Sequence, residues 1–124
     1  LKDVMHSGIH TPIINETQTI KDALIEMSAK GLGMTAIINS NQQLSGLFTD
    51  GDLRRILEQR IDIHSTEINV VMTKSCTTAT QDMLAAEALN IMEQKRINGL
   101  IVINEHNHPI GALNMQDLLK AGVL

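Results

Sequence analysis

Gly46 to Leu53 reads Gly-Leu-Phe-Thr-Asp-Gly-Asp-Leu, and Gly111 to Leu118, 65 positions later, reads Gly-Ala-Leu-Asn-Met-Gln-Asp-Leu. Both fit Gly-x-x-(Thr/Asn)-x-x-Asp-Leu. An internal repeat constrains a fold more than any single segment does, because one supersecondary unit must be built twice. The match extends upstream. Ile20, Ala23, Leu24 and Met27 form an i, i+3, i+4, i+7 stripe, and Ala85, Ala88, Leu89 and Met92 form it again. Each stripe is the buried face of an amphipathic helix.

Between the helical stripe and the shared motif lie two apolar runs in each copy. Met34 to Ile38, ending in Asn39, and Leu100 to Ile103, ending in Asn104, read as buried strands. Polar turns follow (Ser40 to Gln43; Glu105 to His108), then strands running to Phe48 and Leu113. The first helix has Thr19 at its N-cap with Asp22 three residues on, and stops near Gly31. The second is capped by Asp82 and ends around Arg96. A second helix opens after Thr49 and after Asn114. Each copy is therefore βαββα, 1–58 and 70–124, joined by a connection at 59–69. Neither could bury its sheet alone, and packing the copies across a pseudo-two-fold axis solves the problem. The fold class is α/β.

Composition removes several functions. Phe48 is the only aromatic residue, so base stacking of single-stranded nucleic acid lacks its side chains. The formal charge is -4 and no Lys/Arg run exceeds a pair such as Arg54-Arg55, which leaves no electrostatic footprint for nucleic acid. No apolar run approaches the roughly 20 residues of a membrane span, and one cysteine, Cys76, cannot form an internal disulfide. A reducing cytosol is the expected compartment. The chain opens at Leu1 with neither an initiator Met nor a signal-peptide pattern, and reads as a fragment of a larger protein.

The motif lies where a strand hands over to a helix. Unpaired backbone N–H groups and a partial positive charge suit an anion there, and Thr49 and Asn114 can add a side-chain hydrogen bond. Asp52 and Asp117 fall one turn on, on the same face, and a carboxylate can accept both hydroxyls of a ribose. The plain structural account is that Thr49 and Asn114 are N-caps and the aspartates complete capping boxes. Capping and binding are compatible, and recurrence in register favours binding.

These residues resemble the CBS-domain pair, or Bateman module, over essentially the whole chain. In that family the Ser/Thr-x-x-Asp element holds the ribose of adenosine nucleotides or related ligands. The resemblance implies Thr49 and Asp52, with Asp117, as contacts, while Asn114 departs from the Ser/Thr pattern. The run Phe48 to Arg55, with Asp117 to Gly122, is similar to the C-terminal CBS pair of bacterial arabinose 5-phosphate isomerases. That implies an absent N-terminal sugar-isomerase (SIS) domain, interconverting ribulose 5-phosphate and arabinose 5-phosphate for Kdo and lipopolysaccharide synthesis. Met34, Thr35, Asn98 and Gly99, with Pro12 and Gly33, would by the same analogy line a base or sugar pocket.

Arg54 and Arg55 could reach a ligand phosphate; against that, Asp50 could pair with Arg54 at i, i+4 on a solvated face. Asp50-Gly51-Asp52 is not a calcium loop, because Ile61 stands where a bidentate Glu is needed. His106 and His108 have no third ligand fixed by spacing, Cys76 has no catalytic partner, and Met5 and Met72 read as core filler. The reading is therefore a regulatory sensor, without catalytic residue, metal or resident cofactor, whose ligand is an adenine nucleotide or CMP-Kdo. It would modulate its own SIS domain and form a homodimer of CBS pairs in a larger oligomer. A ligand-free oligomerisation module is the rival.

Overall fold

A computed structural model describes residues 1–122; positions 123–124, the end of the second repeat as read from sequence, lie outside the described residues. In chain order the elements are β1 (His6–Ser7), β2 (Ile13–Asn15), α1 (Ile20–Lys30), β3 (Met34–Ile38), β4 (Leu44–Thr49), α2 (Asp50–Glu58), β5 (Thr78–Ala79), α3 (Ala85–Lys95), β6 (Gly99–Ile103), β7 (Pro109–Asn114) and α4 (Met115–Lys120). Single 3-10 turns cover Gly8–His10 and Ile68–Val70. The architecture is mixed α/β, with two sheets. Two compact units divide the chain: Pro12–Cys76, and Leu1–Thr11 together with the chain from Thr77 onward.

In the unit Pro12–Cys76 the sheet order is β2-β3-β4, with β2 parallel and β4 antiparallel to the central β3. β3 is buried at all five positions, as an unbroken apolar run in the middle of a sheet requires. α1 lays Ile20, Ala23 and Met27 into a core shared with Ile14, Ile37, Phe48 and Ile56. Its start is a complete Thr19/Asp22 capping box and its end is Gly31 in the left-handed region at φ 70°. Both follow the expectation from sequence.

The stretch 59–69 contributes to the same core. Ile68 is fully buried, and Ile61, Ile63, Val71 and Met72 pack around it. The first free N–H groups of α1 are capped from this stretch as well: Ile20 donates to the Thr66 carbonyl and Lys21 to that of Ile63, both at 3.0 Å. An orphan helix terminus is thereby satisfied by backbone far away in sequence.

In the other unit the order is β1-β7-β6-β5, with β5 parallel to β6 and the remaining pairs antiparallel. Ala79, Ala88, Met92, Leu100, Val102, Leu113 and Leu118 form its core, and Leu1, Val4 and Met5 pack against it. Residues at the start of the chain thus do for this unit what Ile68, Val71 and Met72 do for the first. The cap expected at Asp82 is corrected. Residues 80–83 turn first, with the Met83 N–H on the Thr80 carbonyl at 3.1 Å, and the helix begins two residues later with Leu84 at the N-cap. Leucine has no side-chain acceptor; only the returning half of a box is made, from the Leu84 N–H to Glu87 Oε1 at 3.4 Å.

The repeat persists in the hairpins. Asn39 Oδ1 accepts from the N–H groups of Asn41 and Gln43 at 2.9 and 3.0 Å, and Asn104 Oδ1 accepts from those of His106 and His108 at the same distances. Gln42 and Asn107 take the left-handed conformation, at φ 64° and 65°. The asparagines that close the strands are therefore turn anchors, the short side chain substituting for a backbone acceptor.

Candidate functional site

At the first junction β4 ends on Thr49, whose extended backbone (φ -126°, ψ 173°) turns the chain into α2. Asp52 folds back under that turn. Its Oδ2 accepts from the Thr49 N–H at 2.9 Å and from Thr49 Oγ1 at 3.2 Å, while Thr49 Oγ1 accepts from the Asp52 N–H at 3.4 Å. Its Oδ1 accepts from Thr73 Oγ1 at 3.0 Å and pairs with Arg55 Nη2. Asp52 is 1 % exposed. A carboxylate so buried is sustained by donors on both oxygens, which is what this one has.

The second junction repeats the construction with fewer donors. The Asn114 N–H donates to Asp117 Oδ2 at 2.8 Å, and the Asp117 N–H donates to Asn114 Oδ1 at 3.0 Å. Asn114 therefore replaces Thr as a cap without loss. It cannot reproduce the Thr49 hydroxyl's extra donation to the carboxylate, because its acceptor oxygen carries no proton. Asp117 Oδ1 faces His6 Nε2 at 2.9 Å, and the side chains of His6 and Asp117 are 40 % and 12 % exposed.

Thr73 and His6 stand in equivalent places, and sequence reasoning missed both. Thr73 bridges β4 opposite Leu47, and His6 pairs with Ala112 of β7. Each comes from a leader beginning Val-Met. The methionines explain the motif glycines. A Cβ on Gly46 would fall 2.8 Å from Met72 Cγ and 3.1 Å from the Thr73 carbonyl; on Gly111 it would fall 2.7 Å from Met5 Sδ and 2.9 Å from the His6 carbonyl. The glycines thus admit the leaders, and the leaders bring a donor to each carboxylate. The repeated Val-Met doublet was the available signal.

The remaining candidates divide. Register places Met34 opposite Thr49 and Gly99 opposite Asn114, bringing both to their junctions. Met34 is nevertheless buried, and the Thr35 hydroxyl, also buried, donates to the Ala23 carbonyl at 3.4 Å. Asn98 is exposed, its carbonyl accepting from the Met115 N–H at 2.9 Å. Asp50 and Arg54 are exposed, and the ion pair on α2 joins Asp52 to Arg55, at i, i+3 rather than between Asp50 and Arg54. Asp50 leans toward Gly33, where a Cβ would meet its Oδ2 at 3.2 Å. Pro12 is buried beside β2, and the neighbouring Thr11 Oγ1 is buried without a hydrogen-bond partner among the described residues. The His106 and His108 rings lie 6.0 Å apart on the second hairpin. Burial pushes the Cys76 thiol above its ordinary range, which disfavours the nucleophilic thiolate.

A family model for the CBS domain matches residues 1–59 and again 66–124. The chain belongs to the CBS domain family. This CBS pair is 47% identical over 124 residues to the arabinose 5-phosphate isomerase KdsD of Pseudomonas aeruginosa and 40% identical to that of Escherichia coli K12. All of the chain is aligned, but it spans only 38% of either relative's length. Among solved structures it resembles the CBS domain pair of protein MJ0100, in complex with 5'-methylthioadenosine and S-adenosyl-L-methionine, at a TM-score of 0.83 and 20% identity. The match covers 98% of this chain and 97% of that one. A conserved protein from Pyrococcus horikoshii gives 0.84 at 23% identity, covering 98% and 89%. At such identities the likeness is one of fold. Among the described residues, no helix of the pair is long and apolar enough to cross a membrane.

Proposed function

We propose that this CBS pair is the cytosolic regulatory module of an arabinose 5-phosphate isomerase, and that it senses a nucleotide or sugar nucleotide at its strand-to-helix junctions. The observation that carries the reading is that at each junction one carboxylate oxygen has a side-chain hydrogen-bond partner from a segment remote in sequence. On Asp52 Oδ1 that partner is the Thr73 hydroxyl, and on Asp117 Oδ1 it is the His6 imidazole. A ligand hydroxyl can replace the Thr73 hydroxyl at Asp52, donor for donor, with little net loss of hydrogen bonding. Thr49 and Asn114 fix the carboxylates, Arg54 and Arg55 supply positive charge for a phosphate, and Asp50 lies at the edge of the first junction. The backbones at Met34, Thr35, Asn98 and Gly99 border the two junctions. The adenosine ligands of MJ0100 and the isomerase relatives support an adenine nucleotide or CMP-Kdo as the ligand.

No bond is made or broken in this module. Binding that differs between two arrangements of the chain shifts their populations, and a SIS domain attached upstream would feel the shift. Leu57 and Leu119, 61 % and 49 % exposed on the last helix of each repeat, would be covered in a homodimer of CBS pairs. The test is thermal unfolding with millimolar AMP, ATP and CMP-Kdo. A ligand at about 100 times its Kd adds roughly 2.7 kcal/mol, a readily measured rise in Tm. No rise with any of them removes the sensing function and leaves an assembly module.

A further inference from the structure

Asn98 is the only asparagine of the chain followed by glycine, and it stands exposed at the entry to β6. The side-chain amides of Asn15, Asn39, Asn69, Asn104 and Asn114 are held in hydrogen bonds. Among the described residues nothing holds that of Asn98. The backbone nitrogen beside it is accessible too. The Met115 N–H on the Asn98 carbonyl, at 2.9 Å, makes Gly99 and Asn114 a non-hydrogen-bonded pair of the antiparallel ladder, with the Gly99 N–H turned away from β7. On the other side β5 takes up its pairing only at Ile101. Glycine has no Cβ to crowd its own nitrogen or to restrict how the chain folds toward the preceding side chain. At the equivalent place in the first repeat stand Gly33 and Met34, where there is no side-chain amide.

We propose that Asn98–Gly99 is a self-modification site, at which the folded chain loses ammonia and takes up water. The Gly99 nitrogen, its proton passing to solvent base, bonds to Asn98 Cγ; the bond from Cγ to the side-chain nitrogen breaks, and ammonia leaves. Water then opens the resulting cyclic imide at either of its carbonyls, one giving aspartate and the other isoaspartate. Nothing is oxidised or reduced, and water replaces ammonia. Isoaspartate carries the main chain through the side-chain carbons, so the backbone lengthens by an atom just before β6. The carbonyl that accepts the Met115 N–H leaves the main chain as a carboxylate. Met115 is the first residue of α4, and α4 carries Asp117, so the change displaces an anchor of the second junction. The first junction has no such site. Modification therefore loosens one of two junctions that are otherwise built alike.

The experiment is storage of the whole chain in mildly alkaline buffer, with and without denaturing urea, followed by tryptic mapping and labelling with an isoaspartyl methyltransferase. Cleavage after Arg96 and Lys120 leaves Asn98, Asn104, Asn107 and Asn114 on one peptide, so fragment masses place the change. In the folded chain Asn98 is expected to be lost at least about tenfold faster than any other asparagine. Gly99→Ala crowds the attacking nitrogen and is expected to slow that loss about tenfold or more. Asn98→Gln, whose longer side chain must close a larger ring, is expected to abolish the labelling without touching β6. In the modified chain, amide exchange at Met115 and Asp117 is expected to rise while Thr49 and Asp52 hold. Asn98→Asp, which changes the charge but not the main chain, is expected to leave Met115 exchange near the wild-type rate. Loss at Asn98 that occurs only in urea overturns the site, because the folded strand then protects it, and so does labelling undiminished in Gly99→Ala. Isoaspartate at position 98 with Met115 exchange unchanged overturns the link to the second junction.

Discussion

Replacing the Asp52 carboxylate by an amide keeps its shape and removes the charge on which four donors converge, from Thr49 N, Thr49 Oγ1, Thr73 Oγ1 and Arg55 Nη2. Hydrogen bonds to a charged group are worth about 1.5–3 kcal/mol each, and an amide turns an N–H toward one set of donors. Asp52→Asn is expected to lower stability by roughly 2–4 kcal/mol, and Asp117→Asn, with fewer donors and more solvent, by less. Urea denaturation of the two variants measures the difference; equal losses would contradict this inequality. The motif was legible in the sequence, and so was its capping role. Its saturation was not, because Thr73 and His6 reach the carboxylates from 21 and 111 residues away and leave no local period. Cys76 gives a second test. Burial raises its thiol, so less thiolate is present at any given pH near neutrality, and alkylation by iodoacetamide should be slow at pH 8. The rate should climb with a midpoint above that of a free cysteine; a midpoint below it would show the thiol to be activated.

The four α-helices among the described residues differ in how their ends are closed, and this decides which of them sequence reading could bound. α1, α2 and α4 each have a side-chain acceptor at the N-cap, Thr19, Thr49 and Asn114, aligned with an aspartate at the third helical position. α3 has Leu84 there, 66 % exposed, so the pattern drew the boundary back to Asp82, the nearest capping residue. Leu84 already has the extended backbone of an N-cap (φ -73°, ψ 147°), so Leu84→Asp is expected to raise stability by about 0.5–1 kcal/mol. A calorimetric Tm that fails to rise would mean that the Leu84 side chain has a packing role. The approach of β1 to β7 makes the opposite prediction. A methyl group at Gly111 meets the His6 carbonyl at 2.9 Å, and backbone yields less readily than the Met5 side chain does. Gly111→Ala should cost roughly 1–3 kcal/mol by overpacking, with amide exchange at His6 and Ser7 rising most.

Across the whole chain, the order of elements was readable because each repeat carries its own stripe, strands, turn and cap. The packing of the flanking segments was not readable, because which core a leader joins has no signature in periodicity. Leu1, Val4 and Met5 precede the first repeat's β2 yet pack on the core of the second repeat's α3 and β6, while Ile68, Val71 and Met72 precede β5 yet pack with Phe48 and Ile56. Deleting residues 1–5 therefore tests the partition. It removes three partly buried apolar side chains from one core, a loss of roughly 2–4 kcal/mol at about 25 cal/mol per Å² of apolar surface. It leaves every residue of the core around Ile37 and Ile68 in place. Hydrogen exchange on the shortened chain is expected to show loss of protection in β6 and β7, with β3 and β4 unchanged. The reverse pattern, β3 and β4 exchanging faster while β6 and β7 hold, would mean that the leader serves the repeat it precedes and that the sequence boundaries are the physical ones.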